Sequence, residues 1–182
     1  LAALSLGYHL GGQRASERAS DERLAWLLVG TAAYVALVVF ASDLLLATAG
    51  AIPLPGRFAS LPAVTLLFGP PTYLLGFISP YAAELSGTEE VGAASGHVYA
   101  VGTVGSIVGA FLTTFVLIPE LSVEVIGMGF GLLLVGTALW LSRGADRHEP
   151  TVASVGVALL VVLAGFSGAL GVSHGGSVLY HT

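Results

Sequence analysis

Long apolar stretches alternate with short polar segments along the whole sequence. An apolar stub at residues 1–12 is too short to cross a bilayer, and a polar segment, residues 13–23, follows it. Longer apolar runs come next, and each is close to the roughly 20 residues that a membrane-spanning helix needs. They cover about residues 24–49, 58–85, 92–118, 123–142 and 151–172. This pattern predicts an all-α fold, a polytopic transmembrane bundle of about five spanning helices plus a truncated N-terminal helix.

Composition supports the membrane assignment and removes several classes of chemistry. Hydrophobic residues make up 55% of the chain and charged residues only 9%, against about 25% charged in an ordinary soluble domain. The chain has no cysteine and no lysine, so disulfides, thiolate metal sites and a Schiff-base lysine are excluded. We assign no catalytic, cofactor-binding or metal-binding residue, and we expect no nucleic-acid partner.

The second apolar run contains two consecutive prolines, Pro70 and Pro71, near its middle. Each proline lacks a backbone N–H and clashes with the preceding turn. We therefore predict a helix break or kink at these residues, with neighbouring helices satisfying the freed carbonyl groups.

Small residues recur at four-residue spacing in the third and fourth runs. Such stripes allow two helix backbones to approach closely, and we interpret them as packing surfaces. The stripes are Gly92, Gly96 and Ala100, then Gly105, Gly109 and Thr113, and finally Gly127 and Gly131.

The arginines predict an orientation, since Arg and Lys are enriched in cytoplasmic loops beside membrane helices. Three of the six cations lie in segment 13–23 and two in the polar segment 143–150; only Arg57 lies elsewhere. We therefore expect a multi-pass protein of the plasma membrane with both polar segments as cytoplasmic loops. The same topology sends the end of the 151–172 helix outward.

Ionisable and polar side chains near helix ends are the candidate functional groups, because a charge inside a bilayer is costly. One hypothesis is a cation-attracting mouth at the acidic connection near residue 88, with His97 as a proton-linked group. The alternative is a solvated turn whose acids favour the start of the next helix, with Asp43 simply interfacial. The candidates are Asp43, Glu84, Glu89, Glu90, His97 and Tyr99.

Residues 76–121 resemble the membrane portion of the membrane-fused spermidine synthase-like proteins. In that family a Ser-Pro step ends one helix, and the next helix runs from a Gly through Tyr-Ala and a Thr-x-Gly-Ser segment to a Leu-Ile-Pro stop. The matching positions here are Ser79, Pro80, Gly96, Tyr99, Ala100, Thr103, Gly105, Ser106 and Leu117 to Pro119. Residues 7–18 resemble the exit of the family's second helix and the cytoplasmic loop of major facilitator transporters, and residues 178–182 resemble the first strand of its enzyme domain. The sequence departs from the family at Gly102, where a polar Asn is usual.

The resemblance implies that residues 1–172 form a transmembrane domain and that residues 173–182 form a linker and first strand leading into an enzyme domain. That Rossmann-like domain would transfer aminopropyl groups from decarboxylated S-adenosylmethionine to a diamine. The implied partners are the lipid bilayer, the protein's own soluble domain and a polyamine. No catalytic residue of the family falls within this chain.

The implied enzyme domain needs a cytosolic cosubstrate and should therefore lie in the cytoplasm. The predicted topology instead places the end of helix 151–172, which leads into that domain, outside the cell. Either helix 151–172 is re-entrant, or the following domain is extracytoplasmic and uses another substrate. The sequence is compatible with three functions: a membrane domain that holds an aminopropyltransferase, a major-facilitator-like transport module for a cation or polyamine, or an inert anchor.

Overall fold

The computed structural model describes residues 1–86, 91–143 and 149–169, and the regular elements of this part are all helical. A 3₁₀ turn, Gly56–Phe58, precedes α4, and a π-helical turn, Thr113–Leu117, joins α6 to α7. The helices are α1 (Ala2–Arg18), α2 (Asp21–Phe40), α3 (Ser42–Gly50), α4 (Leu61–Leu75), α5 (Ile78–Leu85), α6 (Val91–Leu112), α7 (Ile118–Glu120), α8 (Val123–Ser142) and α9 (Glu149–Ala169).

The predicted fold class, an all-α membrane bundle, is confirmed. In the described part of the chain four helical segments are long and apolar enough to cross a bilayer, and α9 contributes a shorter apolar segment, Ala153–Val162. Residues 173–182, where we predicted a linker and first strand, lie outside the described residues. The four segments are Asp21–Phe40, Gly56–Leu85, Gly92–Glu120 and Val123–Ser142.

The polar segment 13–23 is helical apart from two residues, which corrects the loop predicted there. α1 continues to Arg18, and α2 begins at Asp21. Ser20 is extended between them, and its hydroxyl accepts a hydrogen bond from the Arg23 amide at 3.2 Å. Gln, Glu, Arg and Ala all favour helices, so this polar sequence continues α1. The N-cap serine sets the point where α2 begins.

The first long apolar run divides at Ala41, although the sequence predicted one helix to about residue 49. Ala41 has φ −112° and ψ 24°, which is not helical, and its amide still bonds to the Leu37 carbonyl at 2.8 Å. α3 starts at the next residue. Asp43 therefore lies in the first turn of a separate helix, where a carboxylate is stabilised by the free amide groups.

The helix break that was one of the two outcomes predicted at Pro70 and Pro71 is not found, and the kink, the other outcome, stays a prediction. α4 remains helical through both prolines and ends at Leu75. The hydrogen-bond pattern changes at Gly76 and Phe77, whose backbone dihedrals stay helical, and there the Phe77 amide bonds to the Leu74 carbonyl at 3.1 Å. This three-residue spacing is that of a tighter turn.

Two apolar clusters hold the described helices together. The first joins α2 and α8 through small and branched residues on facing stripes: Ala25, Leu28, Val29, Ala32, Leu134, Val135 and Ala138. Ala153, Val157 and Ala158 of α9 pack against it. The second joins α1, α2 and the α4–α5 turn: Ala15, Leu24, Phe77 and Tyr81. Because lipid tails are as apolar as these side chains, the gain comes from close van der Waals packing rather than from leaving water.

The packing predicted for the α8 glycines is confirmed. A methyl group on Gly131 would lie 3.2 Å from the Val161 side chain of α9, and one on Gly127 would lie 2.8 Å from Val39 Cγ2 of α2. In α6 this packing is not found. A methyl group on Gly105 or Gly109 would meet nothing within 4 Å in the described chain, and the same holds for Gly92 and Gly96.

Four of the five arginines in the described part of the chain lie at one end of the bundle. Leu141 of α8 packs on the cluster that contains Ala15 and Leu24, so the α8 C-terminus lies beside the α1–α2 junction. Thr151, at the start of α9, donates a hydrogen bond to the Ser142 hydroxyl at 3.1 Å. α9 thus starts at the same end and runs antiparallel to α8. The end with Arg14, Arg18, Arg23 and Arg143 is called the arginine end below; Arg57 lies beyond α3, at the other end.

Candidate functional site

The predicted acidic mouth is only partly described. Glu84 lies on α5 and His97 and Tyr99 on α6, two helices that pack against each other, and all three side chains are exposed. Glu89 and Glu90 lie outside the described residues. His97 and Tyr99 are two residues apart on α6 and so lie on different faces of that helix, and none of the three described side chains lines either of the two cavities described below.

Asp43 does not belong to the predicted acidic mouth. It lies on α3, beyond the C-terminal end of α2, whereas the α5–α6 connection is near the arginine end. The 20 residues of α2 separate the two levels by about 30 Å. Asp43 and Glu84 therefore belong to different parts of the bundle, and no group of three or more metal-ligating side chains occurs among the described residues.

The proline helix α4 has a partner on α2. Pro70 has no N–H to donate to the Leu66 carbonyl, four residues earlier. The Tyr34 hydroxyl of α2 donates to that carbonyl instead. Two residues later the Thr72 hydroxyl donates to the Phe68 carbonyl of its own helix, so this hydroxyl is satisfied locally. The Tyr34 bond shows how a neighbouring helix satisfies a carbonyl that a proline leaves free in an apolar environment.

An apolar cleft of about 910 Å³ opens between α1, the end of α3 and α4. Leu6 and Ile52 lie on two of its walls, and Leu61, Thr65 and Tyr73 line the α4 side. None of the side chains that line it is charged. The cleft therefore suits hydrocarbon and offers no counter-charge to a polyamine.

A second, smaller cavity of about 350 Å³ lies at the arginine end, between α1, α2 and the α4–α5 turn. We call it the arginine groove. Arg14 and Arg23 line its outer end, the buried rings of Phe77 and Tyr81 form its floor, and Leu74 lies further in. The Arg14 guanidinium carbon is 5.6 Å from the Phe77 ring centroid, within the range of a cation–π contact.

Sequence reasoning missed this groove. A usable signal was present in Trp26, which follows Arg23 by three residues, because tryptophan and arginine together mark a membrane–water interface. The contributions of Phe77 and Tyr81 carried no local signal, since both come from a distant part of the chain.

Comparisons of the chain with models of protein families, with curated proteins and with solved structures found no match. The resemblance to the spermidine synthase-like membrane proteins therefore rests on the sequence motif alone.

Proposed function

We propose that this chain is the non-catalytic membrane domain of a spermidine synthase-like protein and holds an aminopropyltransferase domain at the bilayer. The observation that carries the proposal is the closely packed apolar cluster of α2 and α8, with α9 packed against it. Close van der Waals packing of this kind is expected of helices that are stably inserted in a bilayer.

The buried polar side chains of the bundle support the same role. Thr31 donates to the Leu27 carbonyl, Ser154 to the Pro150 carbonyl, and Ser142 to the Leu139 carbonyl. Each of these three bonds stays within one helix, and the Ser142 hydroxyl in addition accepts the bond from Thr151 that links α9 to α8. Serine and threonine in this arrangement serve packing.

The resemblance to the spermidine synthase-like family supports the aminopropyltransferase part of the proposal. The motif in residues 76–121 covers α5, α6 and α7, and in the family such helices accompany an enzyme that uses decarboxylated S-adenosylmethionine and a diamine. In this proposal the arginine end faces the cytoplasm of a plasma-membrane protein, in line with the distribution of positive charge.

The coding sequence beyond Thr182 and the activity of the complete protein test the proposal. A glycine-rich strand-turn-helix after Thr182, and aminopropyl transfer from decarboxylated S-adenosylmethionine by membranes containing the complete protein, are the expected results. A stop codon directly after Thr182, or a following domain of another fold, would contradict the aminopropyltransferase role.

A transport module for a cation or polyamine is the second candidate. The observation in its favour is the interrupted helix pair α4–α5, whose turn at Gly76 and Phe77 lies within one membrane-crossing segment, because discontinuous helices often mark transport sites. Liposomes that contain residues 1–182 distinguish the two functions. Saturable uptake of radiolabelled spermidine favours transport, whereas uptake equal to that of empty liposomes favours the anchoring role.

A further inference from the structure

We propose that the arginine groove binds an anionic phospholipid of the surrounding bilayer, with the lipid phosphate between Arg14 and Arg23 and the start of an acyl chain along α2. This inference depends on the membrane placement of the helices and is independent of the aminopropyltransferase role.

The outer end of the groove carries the charge that an anionic headgroup requires. Arg14 from α1 and Arg23 from α2 both line it, and none of the groove's lining residues is acidic. Arg23 uses one donor on the Arg18 carbonyl, at 3.0 Å, which fixes the side chain and leaves other guanidinium N–H groups available. Arg14 is held against the Phe77 ring. Two guanidinium groups placed in this way can donate to phosphate oxygens from two sides.

The inner end of the groove is apolar. Leu27 and Gly30 continue along α2 from Arg23, and Leu74 lies opposite on α4. Arg23 and Gly30 are seven residues apart, which is about 10 Å along a helix. The groove thus changes from cationic to hydrocarbon in the direction of the bilayer interior, in the same order as a phospholipid changes from headgroup to acyl chain.

Trp26 places the groove at the right depth. Its ring lines the cavity and is 42% exposed, and tryptophan concentrates at the level of the lipid headgroups. The acidic residues of the neighbouring helix ends, Glu17, Asp21, Glu22 and Glu84, lie outside the lining. They weaken the general attraction of this end for anions, so selectivity must come from the groove itself. Basic pockets between transmembrane helices recognise anionic headgroups by this combination of charge and depth.

The test uses Trp26 as a fluorescent reporter. The chain has two tryptophans, and Trp140→Phe removes the other, which is 68% exposed on α8. The purified chain is placed in nanodiscs with increasing fractions of brominated phosphatidylglycerol or brominated phosphatidylcholine, and quenching of Trp26 is recorded. We expect phosphatidylglycerol to quench at lower mole fraction. Each of Arg14→Gln and Arg23→Gln should reduce the preference about fivefold.

Arg57→Gln is the matched control. It removes the same charge and a similar cation–π contact, 5.0 Å to the Phe58 ring, at the other end of the bundle, and it should keep the preference for phosphatidylglycerol.

Gly30→Leu tests the apolar end of the groove without changing any charge. A methyl group on Gly30 would meet only Leu74 Cδ1, at 4.0 Å, so the leucine side chain fills the groove. It should reduce quenching by brominated phosphatidylglycerol. Circular dichroism identifies variants that do not fold. If a Gln variant does not fold, Arg14→Lys and Arg23→Lys replace it, because they conserve the charge; they should retain a weakened preference for phosphatidylglycerol.

Three results would overturn the proposal. Equal quenching by the two lipids would show that the groove does not select an anionic headgroup. A preference that persists in the Arg14→Gln, Arg23→Gln double variant would place the selectivity elsewhere. Displacement of brominated phosphatidylglycerol by inorganic phosphate in the buffer would show that the groove holds a free anion rather than a lipid.

Discussion

Gly7 of α1 and Gly76, at the turn between α4 and α5, are in direct backbone contact. A methyl group on Gly7 would lie 2.9 Å from Gly76 Cα, and one on Gly76 would lie 2.8 Å from Gly7 Cα. Gly11, one turn further along α1, approaches Phe77 Cα in the same way, at 2.9 Å. α1 is therefore fitted against the interrupted helix at a distance that only glycine permits, and the nearest atoms belong to backbone that cannot rotate away.

Gly7→Ala should destabilise the bundle. The added methyl group cannot be accommodated without moving α1 away from the α4–α5 turn, and we expect a loss of roughly 1–3 kcal/mol in the free energy of unfolding. Thermal or denaturant unfolding in detergent measures this change. Gly12→Ala, on the same helix, is the control, because nothing lies within 4 Å of the new methyl group. It should be neutral or stabilising by up to about 1 kcal/mol. Equal destabilisation by the two variants would contradict the close contact.

Tyr34→Phe should destabilise the bundle by leaving the Leu66 carbonyl without a donor. We expect a loss of about 1–2 kcal/mol in the free energy of unfolding, measured as above. In a Pro70→Ala background residue 70 has its own N–H for that carbonyl, so the same substitution should cost clearly less. Tyr99→Phe, at a 57% exposed side chain, is the control and should have little effect. A loss from Tyr34→Phe that is the same in both backgrounds would refute the role assigned to the hydroxyl.

Leucine substitutions should distinguish the packed glycines of α8 from the open ones of α6. Gly131→Leu must displace Val161 and separate α8 from α9, at a cost of roughly 1–3 kcal/mol. Gly129→Leu, two residues away, points to open space and serves as its control. Gly105→Leu and Gly109→Leu should change the stability of the monomer by no more than about 0.5 kcal/mol. A large loss from either α6 variant would mean that this helix packs inside the bundle after all.

Single cysteines should report the two ends of the bundle. The chain has no cysteine, so Ser16→Cys, Ser60→Cys and Ser86→Cys each provide one thiol at an exposed position. Labelling of intact cells with a membrane-impermeant maleimide should modify Cys at position 60, and the two other positions should react only after permeabilisation. Labelling of positions 16 and 86 on opposite sides would contradict the relative arrangement of the helices, and labelling of both from outside would reverse the proposed orientation.

Much of the fold could be predicted from the sequence because lipid imposes a simple requirement. Every backbone polar group must be satisfied within its own segment, so an apolar run of the right length becomes a helix. The bounds of α8, Val123–Ser142, agree with those predicted from the apolar run. The positions of the arginines, taken with the number of crossings, placed segments 13–23 and 143–150 at the same end of the bundle.

The polar segments and the helix interruptions were less predictable. Segment 13–23 is helical because its residues have high helix propensity and Ser20 caps the next helix, so polarity alone was a poor guide to a loop. The turn at Gly76 and Phe77 depends on α1, which packs against it, and Tyr34 supports the prolines from a helix that is more than thirty residues away in sequence. None of these partners is visible in a local window.

The sequence by itself determined that this protein is an all-helical membrane bundle with most of its arginines in two polar segments, since hydrophobicity and charge act residue by residue. Tertiary structure alone decided which glycines touch another helix and that Arg14, Arg23 and Trp26 face one groove floored by Phe77 and Tyr81. Those facts depend on the rotation and crossing of helices about their axes. Many residues set these angles jointly through packing, and no single stretch of sequence encodes them.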